Sequence, residues 1–439
     1  REENLKSFLP GEAFSLAVDG WTFLDKKRNW VLGGWAGGTF IHGSQSAIYR
    51  LQRSSIHYFH RPDVTHLSLN PDATSLAGSA GKISLAKQQG HSLVLLSTGI
   101  LSPGFDPNEA GYQRSISDKI NFQGLYGYQW TKPGKIFQQA LVIGGFERNY
   151  DFGWNKTFEA WLANVQGIFR NWWTINGMVL YYPKSYSNTL TRGGPLALIP
   201  QGYLIQLDLE SDTRRHFVFY TSSYYSQTKD KQEDWNLSLG LRWKPRPNFN
   251  LSLGPAMSKN INETQWLTSV SDPLMTQTYG RRYIFGRIDQ TVAASEVRLN
   301  WIFTPRLSLQ LYLQPYIAVG KYDRFKQLNQ PKSYDYLVFG EIPSTISYEE
   351  GYYQIDPDSS GPAESFLIYN PDFNYKSLRG TVVLRWEYRL GSLLYLVWTQ
   401  NRADYSHPGD FSLGRDLGDL FTAPGDNIFL IKITYRFNL

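Results

Sequence analysis

The sequence predicts an all-β chain: a transmembrane, antiparallel up-and-down β-barrel of about 16–18 strands, with short periplasmic turns and long extracellular loops. Three observations predict it. At the end of the chain, Phe429, Ile431, Ile433, Tyr435, Phe437 and Leu439 fall on one face, while Lys432, Thr434, Arg436 and Asn438 fall on the other, which is the two-residue period of a strand. Aromatics make up 15% of the 439 residues, with 14 Trp and 29 Tyr, yet only 19% are charged and mean hydropathy is negative. Lipid-facing apolar positions interleaved with polar ones produce that mixture. The third observation is that turns and loops alternate in length.

The elements follow in order. Residues 12–24 and 29–42 read as two strands, and Gly33, Gly34, Gly37 and Gly38 crowd the second. Glycines there let a strand bend or let another element come close, as over a plug. A phosphate-cradling loop would need a following Lys-Ser/Thr and a helix, and neither is present. Residues 48–59, 74–87, 91–101, 116–131, 136–150, 157–169 and 172–182 continue the alternation. The cleanest strands come next. Tyr203, Ile205, Leu207 and Leu209 alternate with Gln206, Asp208 and Glu210, and Leu237, Leu239, Leu241 and Trp243 alternate with Asn236, Ser238, Arg242 and Lys244. Residues 283–303 read as one long strand projecting beyond the bilayer, turning at Thr304-Pro305 into Leu307, Leu309, Leu311 and Leu313.

A soluble sandwich alternates too, and connection lengths separate the two readings. With the C-terminus periplasmic, the links at 132–135, 170–171, 210–214, 244–248, 304–306 and 388–392 are short and lie on one side. The links at 185–200, 260–282, 322–376 and 403–426 are long and lie on the other. That asymmetry is the barrel signature. The strand count closes near 18, an even number.

No run of about 18 apolar residues is present to form a membrane helix. With no Cys, disulfides, thiolate zinc sites and cysteine nucleophiles are excluded. A net charge of +6 comes without a clustered basic patch, so acidic lipid headgroups, not nucleic acid, are the expected partners. No sharp change of composition marks a linker, so residues 1–439 read as a single barrel domain.

Chemistry-bearing residues fall into two groups. Asp208, Glu210, Arg242, Arg298, Arg385, Glu387, Arg389, Lys432 and Arg436 are expected to line the lumen, where charge steers anionic or polyhydroxylated solutes or simply pairs across strands. In the long loop, Tyr348, Tyr352 and Tyr353 stand among Asp356, Asp358 and Glu364, the mixture that stacks sugar rings and accepts their hydroxyls. A self-packed surface loop has the same composition. Asp356-Pro-Asp-Ser-Ser-Gly361 resembles the opening of an oxygen-ligand calcium loop, with Leu367 where a bidentate Glu belongs; calcium is a candidate ligand on that basis and no other cofactor is expected. The seven histidines show no metal-binding spacing and read as surface residues, with His57 and His60 at a strand end on opposite faces. No catalytic motif is recognisable, and paired glycosidase carboxylates meet only in the fold.

Several blocks together resemble a known family: Ser102-Pro-Gly-Phe-Asp-Pro-Asn-Glu-Ala-Gly111, Tyr283-Ile-Phe-Gly-Arg-Ile-Asp-Gln290, Arg298-Leu-Asn-Trp-Ile-Phe-Thr-Pro-Arg-Leu-Ser-Leu-Gln-Leu-Tyr312, Tyr369-Asn-Pro-Asp-Phe-Asn-Tyr-Lys-Ser-Leu378, Leu384-Arg-Trp-Glu-Tyr-Arg389 and Asp426-Asn-Ile-Phe-Leu-Ile-Lys432. The chain from about Asn29 onward is similar to outer-membrane barrels described as a domain of unknown function, commonly fused behind a family-9-like carbohydrate-binding module. The resemblance implies the outer membrane of a Gram-negative cell, glycan-linked work, and a C-terminal portion of a longer precursor whose binding module is not in this chain. It supplies no catalytic residues. Three functions follow as expectations: a pore or surface platform for glycan-type or other polymeric solutes, a plugged structural member of a complex with other outer-membrane proteins, or a barrel-embedded hydrolase.

Overall fold

The computed structural model describes residue 5, residues 8–108 and residues 116–437. Asn438, Leu439 and residues 109–111, which entered the sequence reading, lie outside the described residues. Seventeen long strands run up and down: β1 (Glu12–Phe23), β2 (Trp30–His42), β3 (Ser75–Lys87), β4 (Ser92–Leu101), β5 (Lys119–Trp130), β6 (Phe137–Tyr150), β7 (Lys156–Phe169), β8 (Thr174–Tyr182), β9 (Gly202–Glu210), β10 (Phe217–Thr228), β11 (Glu233–Arg246), β12 (Phe249–Ser271), β13 (Arg281–Thr304), β14 (Leu307–Leu328), β15 (Phe373–Arg389), β16 (Ser392–Asp404) and β17 (Gly425–Thr434). Each pairs antiparallel with the next. A short strand, Tyr336–Val338, pairs with the far end of β14 and brings the sheet to 18 strands. The wall itself therefore has an odd number of strands where an even number was expected.

Directly opposed residues in an antiparallel ladder share a face, so the register carries one apolar surface around the wall. Ile205 faces Val179 and Tyr225, Leu237 faces Met257, Leu309 faces Leu384, and Leu396 faces Ile431. Ile205, Val179, Leu237, Met257, Leu396 and Ile431 stay exposed on this surface, as on the outward apolar band of a transmembrane barrel. The opposite face is polar and lines the interior. Glycine serves where backbones crowd: a Cβ on Gly78 of β3 would lie 2.0 Å from the Phe105 nitrogen, and one on Gly104 would lie 2.2 Å from the Ala77 oxygen. The 102–108 loop thus lies directly against the upper end of β3.

Three sequence expectations change. Residues 48–59 are not a strand: Gln45–Arg53 forms helix α1, whose N-cap Ser44 side chain accepts a hydrogen bond from the Ala47 N–H at 3.2 Å. The spacing of Ala47, Ile48 and Leu51 makes one apolar helical side, and Ile48 packs with Ile41 and Leu76; over so short a run the helical and strand periods are hard to separate. The expected loop at 260–282 is mostly strand, since β12 continues to Ser271 and β13 starts at Arg281. Polar residues outnumber apolar ones there, as expected where strands rise beyond an apolar band. The expected loop at 322–376 is also shorter, and inside it Thr345–Glu349, Tyr352–Asp356 and Phe366–Tyr369 form a separate three-stranded sheet.

The projecting parts of β12, β13 and β14 carry a core on each side. Ile284 joins Phe325, Phe339, Ile355 and Ile368 beneath the small sheet, whereas its neighbour Phe285 joins Tyr283, Ala197 and Leu328 beneath the 183–201 loop. A second helix, α2 (Leu413–Thr422), connects β16 to β17. It lies on the outer face of β15 and β16, held by the fully buried Lys376, which lies 3.1 Å from Asp404, 3.5 Å from Asp419 and 3.9 Å from Asp416.

Candidate functional site

Along the inner wall, alternation places amide and hydroxyl side chains at the same height on successive strands, and they hydrogen-bond sideways. Gln166 Nε2 donates to Asn164 Oδ1 at 3.0 Å, and Asn164 Nδ2 donates to Asn176 Oδ1 at 2.8 Å. Asn176 Nδ2 donates in turn to Asp208 Oδ2 at 2.9 Å, where Gln206 Nε2 also arrives at 2.8 Å. Ser222 donates to the other oxygen of Asp208 at 2.5 Å. The string thus runs from β7 across β8 and β9 to β10. A matching group on β5 and β6 has Asn121 donating to Glu147 at 3.1 Å and to Asn149 at 2.6 Å. Cross-strand pairs of this kind hold side chains in fixed rotamers.

Two recesses open along this wall. One, of about 490 Å³, is bordered by Gln139, Gln166, Asn176, Asp208, Glu210 and Tyr220. The other, of about 460 Å³, shares Glu210 and Tyr220 and adds Arg242 and Glu296. Asp208 and Glu210 on β9 and Arg242 on β11, two strands apart, therefore border adjoining recesses that meet at Glu210. Arg298 sits nearby, paired with Glu296 at 2.6 Å and stacked on Tyr312 at 4.9 Å. Arg385 and Lys432 share the inner face further round, both opposite Tyr395. Glu387, Arg389 and Arg436 gather instead at the β15–β16 turn. Glu387 accepts from the Gly391 N–H at 2.8 Å, Arg389 donates to the Tyr435 hydroxyl, and Arg436 lies against Gly391.

In the small sheet, Tyr352 and Tyr369 stand opposite each other, rings 5.4 Å apart, and both are exposed. Tyr348 is exposed at the edge, and Tyr353 turns inward against Phe325. Asp356 accepts the backbone N–H groups of Asp358 and Ser359 at 3.2 and 2.9 Å, and Asp358 accepts that of Ala363 at 3.0 Å. These two carboxylates brace the turn, and Glu364 is exposed beside them. Among the described residues no group of three or more His, Asp or Glu side chains is arranged to hold a metal.

The long loops meet at the outer end of the barrel. Asp63 accepts the Leu196 N–H at 2.6 Å, Lys332 donates to Asn155 at 2.8 Å, and Tyr334 donates to Asp230. Burial pushes the Tyr334 hydroxyl far above its ordinary pKa, reinforced by the Asp230 carboxylate it bonds. At the centre, Arg61 lies 3.9 Å from Asp118 and 3.8 Å from Asp151, all three buried. His66 pairs with Asp118 at 3.0 Å. His57 is 1% exposed, not a surface residue: Nδ1 lies 2.7 Å from the Pro103 oxygen and Nε2 3.2 Å from Asp106, so both ring nitrogens face acceptors. Burial pushes the Asp106 carboxyl up, but hydrogen bonds from His57 and the Asn108 backbone outweigh it and hold it below the usual value. Sequence reading missed these pairs because the partners are 49 and 52 residues apart, on different loops.

A family model described as a domain of unknown function, DUF5916, matches residues 45–438. No curated protein matches the sequence. Among solved structures, the chain is similar to the siderophore receptor PirA from Acinetobacter baumannii, at 8% identity and a TM-score of 0.40, over 98% of this chain and 73% of that one. It is also similar to the siderophore receptor PirA from Pseudomonas aeruginosa, at 10% identity and a TM-score of 0.41, over 92% of this chain and 73% of that one.

Proposed function

The chain belongs to the DUF5916 family of domains of unknown function, and we propose that it is an outer-membrane barrel whose inner wall binds and passes polyhydroxylated, glycan-type solutes beneath a cap of joined loops. The observation that carries this reading is the side-chain string from Gln166 to Ser222, ending on Asp208. Amide and hydroxyl groups offer both donors and acceptors at fixed spacing, which suits neutral hydroxyl-rich solutes better than a ring of one charge would. The exposed Tyr352 and Tyr369 rings support a receiving surface outside, since aromatic faces stack on sugar rings. The cap makes the passage a gated one.

The test is uptake by proteoliposomes containing the purified protein, comparing oligosaccharides with amino acids and salts of similar size. Preferential entry of oligosaccharides, reduced several-fold in Asp208→Ala, is the expected result. Equal entry of all solutes, or none with the loops cleaved, would remove the proposal.

A further inference from the structure

The wall ends in two free edges. β1 is hydrogen-bonded to β2 alone and β17 to β16 alone, and among the described residues no ladder joins β1 to β17. Exposure shows the consequence. The lipid-side residues Phe14, Leu16 and Val18 of β1 are 62%, 82% and 70% exposed, and Phe429, Ile431 and Ile433 of β17 are 75%, 68% and 66% exposed; on inner strands of the sheet the equivalent Leu207 and Leu239 reach 39% and 37%. Residues facing the interior on β1, such as Ser15, Ala17 and Asp19, are exposed as well. An open groove of about 770 Å³ lies along β1, bordered by residues 14–18 and 36–40.

Direction decides what fits. In an up-and-down wall all odd-numbered strands run the same way, so β1 and β17 both run from the loop end to the turn end. Joined directly they would form one parallel ladder in an otherwise antiparallel wall. A second copy offers nothing better: inserted with the same sidedness, it too presents only strands of that direction at its edges. Yet edge N–H and C=O groups facing hydrocarbon have no water to bond, and an open sheet edge is not tolerated there.

We propose that the seam between β1 and β17 accepts one β-strand from polypeptide outside residues 1–439, running from the turn end to the loop end and hydrogen-bonding to both edges as an eighteenth wall strand. Its length matches the edges, which are 12 and 10 residues long. Its alternate residues are apolar on the lipid side, continuing the Phe14, Leu16, Val18 and Phe429, Ile431, Ile433 rows, and small or polar on the inner side beside Asp19 and Lys432. The seam is thus specific for an amphipathic strand of one polarity, and the completed wall returns to an even count with antiparallel pairing throughout.

The chain has no Cys, which makes the test direct. Leu16→Cys and Ile431→Cys variants, expressed with the whole native polypeptide in cells, are labelled with benzophenone maleimide in isolated outer membranes and irradiated. Val18→Cys and Phe429→Cys provide a second pair, and heat-modifiable gel migration identifies the folded variants. The expected result is that both edges of a folded pair cross-link to one and the same third peptide, of alternating pattern, absent from residues 1–439. Cross-links from β1 to residues 425–434, cross-links between copies, or adducts with lipid alone would overturn the proposal.

Discussion

Asn176 on β8 donates a 2.9 Å hydrogen bond to Asp208 on β9, so the amide string that begins on β7 terminates on a carboxylate. Asp208 is the one acceptor shared by Asn176, Gln206 and Ser222. Replacing it removes the anchor for three donors together. Asp208→Ala is expected to cost about 2–3 kcal/mol of stability, because the donors lose charge-assisted partners, and Asp208→Asn about half that. The shift in urea midpoint of the detergent-solubilised barrel measures it.

Lys376 tests how α2 is held. It is fully buried and faces Asp404, Asp416 and Asp419, while Asp416 is itself fully buried. Lys376→Met takes the cation from Asp404, while Asp416 keeps Arg415 at 2.9 Å and Asp419 keeps His407 at 3.8 Å, and breaking a buried pair from one side costs about 3–5 kcal/mol. Detachment of α2, read as new protease cleavage within residues 405–424, is the expected outcome. The double variant Lys376→Met with Asp404→Asn is expected to recover part of the protection, since Asp404 is the nearest of the three carboxylates to Lys376.

Acid is expected to loosen the cap in two steps. Burial, with Arg53 and Arg281 adding to it, holds the His60 imidazole below its ordinary 6.5. The unfolded loop therefore takes up the proton first, so the stability from neutral His60 is complete above about pH 6.5 and is lost as pH falls below it. Asp106 is held below 3.8, so its contribution is complete above that value and fails only in stronger acid. Hydrogen exchange is expected to rise in residues 43–74 between pH 7 and 5, and in residues 102–108 only below about pH 4.

Gly78 controls the approach of the 102–108 loop. A methyl group there meets the Phe105 nitrogen at 2.0 Å, whereas one on Gly20 meets nothing within 4 Å. Gly78→Ala is expected to lift the loop, break the 3.0 Å bond from the Asp106 N–H to Thr39, and lower the melting temperature by several degrees. Gly20→Ala is expected to leave it within about 1 degree, since the site has room and exposed substitutions stay near neutral.

How much of this was legible in sequence differs by region. Within the apolar band, strands such as β9 and β11 alternate apolar and polar residues strictly, and their bounds emerge to within about three residues. Beyond it the signal fades: residues 260–271 are mostly polar yet remain in β12, because Leu267 and Val270 pack into the core on one side and Trp266 into that on the other. α1 escaped because Ile48, Tyr49 and Leu51 satisfy either period. For the site, the inward side of Asp208, Glu210 and Arg242 followed from parity alone. The His57–Asp106 and His66–Asp118 pairs depend on where three loops meet, which no local spacing encodes.

The two-sided packing of β12, β13 and β14 has a mechanical consequence. β12 spans 23 residues as one strand, about 75 Å at roughly 3.3 Å per residue. Tilted by about 40° it stands almost 60 Å tall, against an apolar band of about 25 Å. The barrel thus carries a rigid mast. Tyr352 and Tyr369 are mounted on it through the core around Ile284, so a force on that surface passes down the β12–β13–β14 ladders, and the bulges at 262–268 and 285–287 set where the mast bends.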